Sequence, residues 1–132
     1  MDDRKLRVLV ADDHEQARWA MAYLLQAKCD VVGAVADGTQ LVDAAMSLRP
    51  DVIVSDVSMP SLSGPQAMDQ LKRKGNDIPF VLVSTDASGE KELIKQGAGA
   101  FVAKIDMGRE LMTAVFTVAL KSGDVGVKNS FL

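Results

Sequence analysis

The sequence is poor in the features that staple small proteins covalently or carry a chain into a membrane. Among its 132 residues there is one cysteine, Cys29, so no internal disulfide can form. A lone thiol suits the reducing cytoplasm, which is where we expect the protein to reside. No apolar run approaches the roughly 18 residues of a membrane span, and we expect no signal peptide. Disulfide-stapled and membrane-spanning classes are therefore disfavoured.

Basic residues are also not in excess. Lys and Arg number 15 against 18 Asp and Glu, which gives a net charge of −3. A nucleic-acid-binding domain is expected to show a basic face, so we expect no direct nucleic-acid binding by this domain. The apolar fraction of 48% and charged fraction of 25% are those of a globular chain. The length suits one domain, which we place at residues 1–121, with a C-terminal tail or linker stub at 122–132.

Short apolar runs alternate five times with longer segments of helical periodicity. The runs, which predict strands, are Leu6–Ala11, Asp30–Val35, Val52–Asp56, Phe80–Ser84 and Ala100–Lys104. The segments that predict helices are His14–Ala27, Thr39–Leu48, Pro65–Lys74, Ser88–Gln96 and Asp106–Lys121, with Ser88 and Asp106 as N-caps. The runs are apolar at consecutive positions, which is typical of parallel strands covered on both faces. The alternation therefore predicts an α/β protein whose parallel sheet lies between two helical layers.

Polar side chains follow four of the five predicted strands. Asp12 and Asp13 follow the first strand, Asp56 ends the third, Ser84 the fourth and Lys104 the fifth. The carboxyl ends of parallel strands meet at one edge of the sheet, where open α/β proteins bind ligands. Three converging carboxylates repel one another, and a hard cation such as Mg²⁺ removes that repulsion. With a lysine and a hydroxyl beside them, they suit a phosphoryl group and an aspartate nucleophile.

Each of these residues also has an ordinary structural role. An acidic pair after a strand often caps a helix, Asp56 and Ser84 suit turns, and Lys104 suits a solvated surface. A functional site is favoured because all of them fall at the same sheet edge. The single histidine, His14, is predicted to lie partly exposed at the start of the first helix rather than to act as a base or metal ligand. Cys29 is predicted to be an inert apolar residue.

Together these residues closely resemble the receiver domain of bacterial two-component response regulators over about Leu6 to Lys121. The matching positions are the acidic pair Asp12 and Asp13, the phosphoacceptor segment Asp56–Gly64, the Ser/Thr position Ser84, the turn Gln96–Ala100, the switch aromatic Phe101, and Lys104. The acidic pair followed by His14 and Arg18 resembles the NarL/FixJ-like subfamily. The resemblance implies a CheY-like fold. This is a doubly wound (βα)5, flavodoxin-like three-layer sandwich with five parallel strands in the order 2-1-3-4-5.

The resemblance implies a phosphorylation switch. Asp56 would accept a phosphoryl group from a sensor histidine kinase or a histidine phosphotransfer protein, while Ser84 and Lys104 would bind the phosphoryl oxygens. Phe101 would follow Ser84 inward and change the surface of the fourth helix, fifth strand and fifth helix. The protein would be a phosphoacceptor with self-catalysed phosphotransfer and autodephosphorylation only, and not an enzyme acting on other substrates.

The resemblance also implies a magnesium ion, held by Asp13, Asp56 and the backbone carbonyl of Ser58, with Asp12 acting nearby. Ser58 and Asp86 lie at positions that tune dephosphorylation in the family. Members of the subfamily usually carry a helix-turn-helix domain after the receiver, so the implied output is transcription control through a domain absent from this sequence. A homodimer formed on phosphorylation is a further expectation.

Three alternatives compete with this interpretation. An atypical receiver would dock a partner in one fixed state without phosphorylation, and the stretch from Ser84 to Lys104, about two residues shorter than usual, favours this weakly. A small phosphatase-like enzyme would carry a second aspartate two residues after its nucleophile, where this chain has Ser58. A flavodoxin-type protein would need a first loop that cradles the FMN phosphate, which Asp12 and Asp13 would repel.

Overall fold

Five strands and five helices alternate along residues 4–122, the part of the chain that this computed structural model describes. The elements are β1 (Leu6–Ala11), α1 (Glu15–Gln26), β2 (Cys29–Val35), α2 (Gly38–Leu48), β3 (Val52–Asp56), α3 (Gly64–Arg73), β4 (Phe80–Ser84), α4 (Glu90–Lys95), β5 (Ala100–Ala103) and α5 (Met107–Lys121). The strands form one parallel sheet in the order β2-β1-β3-β4-β5. The predicted doubly wound α/β fold is therefore confirmed.

The strands are apolar at consecutive positions because each strand supplies two cores. In β1, Val8 and Val10 belong to one buried cluster, whereas Leu9 and Ala11 belong to the other. The first cluster contains the buried faces of α1 and α5, and the second contains those of α2 and α3. Alternate side chains of a strand point to opposite faces of a sheet, so a central strand between two helical layers has no polar face.

The helices are held by unequal amounts of apolar surface. Helix α5 buries Leu111, Val115, Val118 and Ala119. By contrast, none of the described residues of α4, Glu90–Lys95, is buried. Helix α4 is six residues long and touches the second core through the half-buried Leu93. None of the helices within residues 4–122 has the length and apolar character needed to cross a membrane.

Several predicted element ends are wrong, and the local hydrogen bonds explain why. Ser88 does not cap α4, because the Asp86 carboxylate accepts its backbone N–H at 2.9 Å and starts a 3-10 turn at Ala87–Gly89. Lys104 is not the last residue of β5, because the chain turns there into a second 3-10 segment, Lys104–Asp106. Of the predicted tail, 122–132, only residue 122 is described, and residues 123–132 lie outside the described part.

Arg7 of β1 forms hydrogen bonds with the end of α2. Helix α2 ends at Leu48, and its C-cap residue Arg49 has a left-handed φ of 50°. The Arg7 guanidinium donates to the carbonyls of Leu48 and Arg49, at 2.8 and 2.9 Å. The Arg7 backbone N–H donates to the Asp51 carboxylate at 2.8 Å. A cation at the negative end of a helix is stabilising, so Arg7 fixes the turn that leads into β3.

We predict that Arg7→Met lowers the free energy of unfolding by about 1–2 kcal/mol, because it removes two hydrogen bonds from a charged donor while keeping most of the apolar stem. The matched control is Arg73→Met, which removes an exposed ion pair with Asp69 and should cost about 0.5 kcal/mol or less. Urea unfolding followed by far-UV circular dichroism measures both variants. Equal effects of the two substitutions would show that Arg7 does not support the end of α2.

Candidate functional site

The sheet brings the predicted site residues together at the carboxyl ends of its strands. Asp12 follows β1, Asp56 is the last residue of β3, and these strands are direct neighbours. One ligand atom from each of Asp12, Asp13, His14 and Asp56 lies within 4.8 Å of the others. The predicted convergence of the carboxylates is therefore seen in the structure.

Asp12 is the buried member of the acidic pair, with no exposed surface. Its Oδ1 accepts the backbone N–H of His14 at 2.9 Å, which fixes the turn into α1. Its Oδ2 lies 3.0 Å from the Lys104 ammonium. Within residues 4–122, however, this oxygen has no partner aligned for a hydrogen bond. A buried carboxylate oxygen in that condition is expensive and is ready to accept a further cation or donor.

Lys104 lies between the two buried carboxylates. Its Nζ is 3.0 Å from Asp12 Oδ2 and 3.5 Å from Asp56 Oδ2, and 17% of its side chain is exposed. Burial alone would lower the pKa of Lys104, but contact with Asp12 and the charges of Asp56 and Asp12 outweigh it and leave that pKa raised. The ammonium is therefore charged at neutral pH and partly neutralises both carboxylates.

Asp56 is held in a tight backbone environment at the end of β3. Its carbonyl accepts the hydroxyl of Ser55 at 2.8 Å. A Cβ on Gly64 would lie 2.4 Å from that same carbonyl, so only glycine fits there. Burial raises the pKa of Asp56, repulsion from Asp12 raises it further, and Lys104 opposes both without cancelling them.

Asp13 and His14 form the open side of the cluster. The Asp13 side chain is 31% exposed and that of His14 73% exposed, and His14 Nδ1 lies 3.3 Å from Asp13 Oδ1 and 3.5 Å from Asp12 Oδ1. His14 is thus exposed at the start of α1. Its imidazole nevertheless lies within 3.5 Å of both carboxylates of the acidic pair, a contact that the sequence did not predict. The carboxylate oxygens, one of them fully buried and ion-paired with Lys104 without a well-aligned hydrogen bond, fit a hard divalent cation such as Mg²⁺.

Ser84 and Asp86 form a small hydrogen-bonded turn at the end of β4. The Ser84 hydroxyl oxygen accepts the backbone N–H of Asp86 at 3.0 Å. The exposed Asp86 carboxylate accepts the backbone N–H of Ser88, and its hydrogen bonds to that residue lower the pKa of Asp86. Both side chains are therefore engaged with the segment that leads into α4.

Phe101 is half-buried on β5, directly paired with Leu82 of β4. Its ring packs against the second core, which also receives Leu93 of α4. It also lines a shallow surface pocket with Arg109 and Thr113 of α5. Its position links the core under α4 to the surface of α5.

One contributor to the site was not assigned a role from the sequence. Arg18 was predicted only as a subfamily marker, yet its guanidinium donates to the backbone carbonyl of Asp12 at 2.8 Å. Because Arg18 lies one helical turn after His14, its spacing from the acidic pair was the available signal. The contact holds the first turn of α1 against the end of β1.

Comparisons with known proteins show what this chain is similar to. A family model described as "Response regulator receiver domain" matches residues 8–116. The transcriptional regulatory protein LiaR of Bacillus subtilis is 32% identical over 114 residues, which are 83% of this chain and 54% of LiaR. A protein-glutamate methylesterase/protein-glutamine glutaminase of Thermotoga maritima is 34% identical over 109 residues, which are 79% of this chain and 32% of that protein. The chain thus spans about half of the first relative and a third of the second.

The fold also matches a solved structure closely. The signal receiver domain of the putative response regulator NarL from Mycobacterium tuberculosis superposes with a TM-score of 0.82 at 27% identity. The match covers 89% of this chain and 98% of that chain.

We predict that Asp56→Asn stabilises the metal-free protein by about 1 kcal/mol at about pH 7. The pKa of Asp56 is higher in the folded chain than its ordinary 3.8, so proton binding favours folding. That contribution is complete below pH 3.8 and is lost as the pH rises through the folded pKa. The ionised carboxylate is therefore destabilising at neutral pH, and Lys104 keeps Asp12 as a partner in the variant.

Urea unfolding without divalent cations, repeated at falling pH, measures this effect. The difference between wild type and variant should shrink as the pH approaches 3.8, because the wild-type carboxyl then becomes neutral as well. Asp69→Asn, at an exposed carboxylate paired with Arg73, is the matched control and should change little. A variant less stable than the wild type at neutral pH would contradict the raised pKa.

Proposed function

This chain belongs to the response regulator receiver domain family, and on that basis we propose that it is a phosphorylation-controlled switch whose phosphoacceptor is Asp56. The observation that carries the proposal is the ion pair of Asp56 with Lys104 beside the acidic pair, at the carboxyl edge of the sheet. Asp56 Oδ2 and Lys104 Nζ lie 3.5 Å apart. Asp56 combines burial, a neighbouring cation and an open cluster of carboxylates, which is the arrangement a phosphoryl-accepting carboxylate needs.

The proposed donor is a phosphohistidine on a sensor histidine kinase or a histidine phosphotransfer protein. An Oδ atom of ionised Asp56 attacks the phosphorus, an O–P bond forms and the N–P bond breaks. The leaving imidazole keeps the electron pair of that bond. Lys104 helps by keeping Asp56 ionised and by offering its ammonium to the phosphoryl oxygens, together with the Ser84 hydroxyl.

Asp13, Asp56 and the backbone carbonyl of Ser58 are the proposed ligands of Mg²⁺, with Asp12 beside them. A bound Mg²⁺ would supply positive charge that offsets the charge on the phosphoryl oxygens. The charge balance of the site supports this assignment, because the acidic cluster brings the carboxylates of Asp12, Asp13 and Asp56 together beside the one ammonium of Lys104.

The proposed response passes from Ser84 to the surface made by α4, β5 and α5. When Ser84 turns toward the phosphoryl group, it gives up its hydrogen bond from Asp86 N–H, which loosens the turn before α4. Phe101 then moves into the space that Ser84 leaves. Helix α4 is suited to respond, because no residue of this described helix is buried.

The lifetime of the aspartyl phosphate and the output of the switch belong to the same proposal. Ser58 and Asp86 are both exposed and would tune hydrolysis of the aspartyl phosphate. Because the chain is its own substrate, it performs phosphotransfer and autodephosphorylation only. We propose a cytoplasmic protein whose output is transcription, through the helix-turn-helix domain that the resemblance to the NarL/FixJ-like subfamily implies, with a homodimer formed on phosphorylation.

The direct test is incubation with Mg²⁺ and acetyl phosphate, followed by intact-mass measurement. We expect the wild type to gain one phosphoryl group and Asp56→Asn to gain none. The label should be stable in acid and labile in base. Asp69→Asn, which removes an exposed carboxylate on α3, is the matched control and should be labelled like the wild type.

A missing mass gain has to be separated from a short-lived adduct. Beryllofluoride, a stable mimic of the phosphoryl group, should bind the wild type only when Mg²⁺ is present and should not bind Asp56→Asn. If neither reagent modifies or binds the wild type, the switch is excluded. The chain would then be an atypical receiver, used as a phosphorylation-independent docking module.

A further inference from the structure

The connection between β2 and α2 touches both loops of the proposed metal site, although it supplies none of the proposed ligands. At its start, the carbonyl of Val35 accepts the backbone N–H of Asp12 at 3.1 Å. At its end, the backbone N–H of Gly38 donates to the carbonyl of Pro60 at 3.4 Å. This connection therefore bridges the acidic pair after β1 and the loop after β3.

Ser61, in the loop after β3, makes three hydrogen bonds where that loop meets the start of α2. Its Oγ accepts the Thr39 hydroxyl at 2.9 Å and the Thr39 backbone N–H at 3.3 Å, and its own hydroxyl donates to Asp37 Oδ1 at 3.4 Å. Ser61 has a φ of 64°, a left-handed conformation that is uncommon for a residue with a Cβ. The loop thus holds an unfavourable backbone conformation at the residue that meets α2.

Gly38 lets the two segments come this close. A Cβ on Gly38 would lie 2.1 Å from the Leu62 carbonyl oxygen and 2.4 Å from the Leu62 Cβ. Neither contact is with the flexible end of a side chain, so a larger residue at 38 has to push the loop after β3 away from α2. We call Gly38, Thr39 and Ser61 the α2 clamp.

Two hydrogen bonds fix the ends of the loop after β3, one to the neighbouring strand and one between the two ends. The Val57 backbone N–H donates to Val83 of β4 at 3.0 Å, and the Gly64 backbone N–H donates to Val57 at 2.9 Å. Ser58, whose carbonyl is a proposed ligand, is exposed and lies between those ends. Within the α2 clamp, Gly38 and Thr39 contact the middle of the same loop, at Pro60, Ser61 and Leu62.

We propose that the three residues of the α2 clamp are positioning residues for divalent-cation binding. By fixing the loop after β3 against α2, they would hold the Ser58 carbonyl at the spacing from Asp13 and Asp56 that a cation needs. Residues that orient metal ligands commonly change metal affinity when they are removed. This inference rests on the proposed function, because it assumes that the Ser58 carbonyl is a ligand.

Ser61→Gly is the primary variant. It removes the hydroxyl that joins Thr39 to Asp37, and it relieves the left-handed backbone, so the fold should not lose stability. We expect the Kd for Mn²⁺, measured by the electron paramagnetic resonance signal of the free ion, to rise about fivefold. The melting temperature of the metal-free variant should be equal to or above that of the wild type.

Gly38→Ala tests the close approach with a matched glycine control. Alanine is the better helix former, so propensity alone favours α2 in the variant. The added Cβ should nevertheless displace the loop and raise the Kd for Mn²⁺ at least as much as Ser61→Gly does. The control is Gly108→Ala in the first turn of α5, where no described atom outside the immediate backbone lies within 4 Å of the new Cβ. It should leave the Kd unchanged.

Thr39 provides a rescue pair. Thr39→Val keeps the shape of the side chain but removes the hydroxyl, and it should raise the Kd for Mn²⁺. Thr39→Ser restores a hydroxyl and should return the Kd to near the wild-type value. A purely structural role would lower the melting temperature of the valine variant without this difference in Kd.

The outcomes separate this inference from the function on which it rests. If the wild type binds Mn²⁺ and Asp13→Asn abolishes binding, the metal site stands. Unchanged affinity in Ser61→Gly and Thr39→Val would then overturn the clamp alone. If the wild type does not bind Mn²⁺, the proposed metal site fails, and the clamp fails with it.

Discussion

The contact of one lysine with two buried carboxylates is the constraint on which the carboxyl edge of this protein depends. Asp12 and Asp56 are almost fully buried and close enough to repel each other, and Lys104 at 3.0 and 3.5 Å offsets part of that repulsion. One ammonium cannot neutralise two carboxylates, so the edge keeps an excess of negative charge. That excess costs stability in the free protein and favours binding of the cation proposed for this site.

The sheet behind this edge supports such a cost because it is stabilised from both faces. Two separate apolar clusters pack against the strands, one on each face of the sheet. The charged groups of the site lie at the carboxyl ends of the strands and in the loops that follow them, where Gly38 and Gly64 permit close backbone approaches. Rigid strands thus fix the ends of the loops, and contacts between neighbouring loops fix their middles. This division of roles is common where a scaffold presents a functional site.

The same division explains why the elements differ in stability. Helix α5 is locked to the first core by four buried residues, whereas the short helix α4 relies on a half-buried Leu93 and a capped turn at Asp86. Elements that must change position are drawn from the weakly held part of a fold. Ser84 lies between the charged edge and that weak helix. A charge added at Asp56 would therefore reach, through Ser84, the helix that the core holds least firmly.

The apolar runs and the polar residues that end them determined the sheet, its helical layers and the meeting of Asp12, Asp13, Asp56 and Lys104, because parallel strands share one carboxyl edge. Periodicity along an element does not report distances between loops. Only the tertiary structure decided that Asp12 is buried while Asp13 is open, since burial depends on which loop covers a residue. It likewise decided that Asp86 rather than Ser88 starts the turn before α4, and that Ser61 meets Thr39 across 22 positions of the sequence. Such contacts join residues that no local pattern relates, so packing alone fixes them.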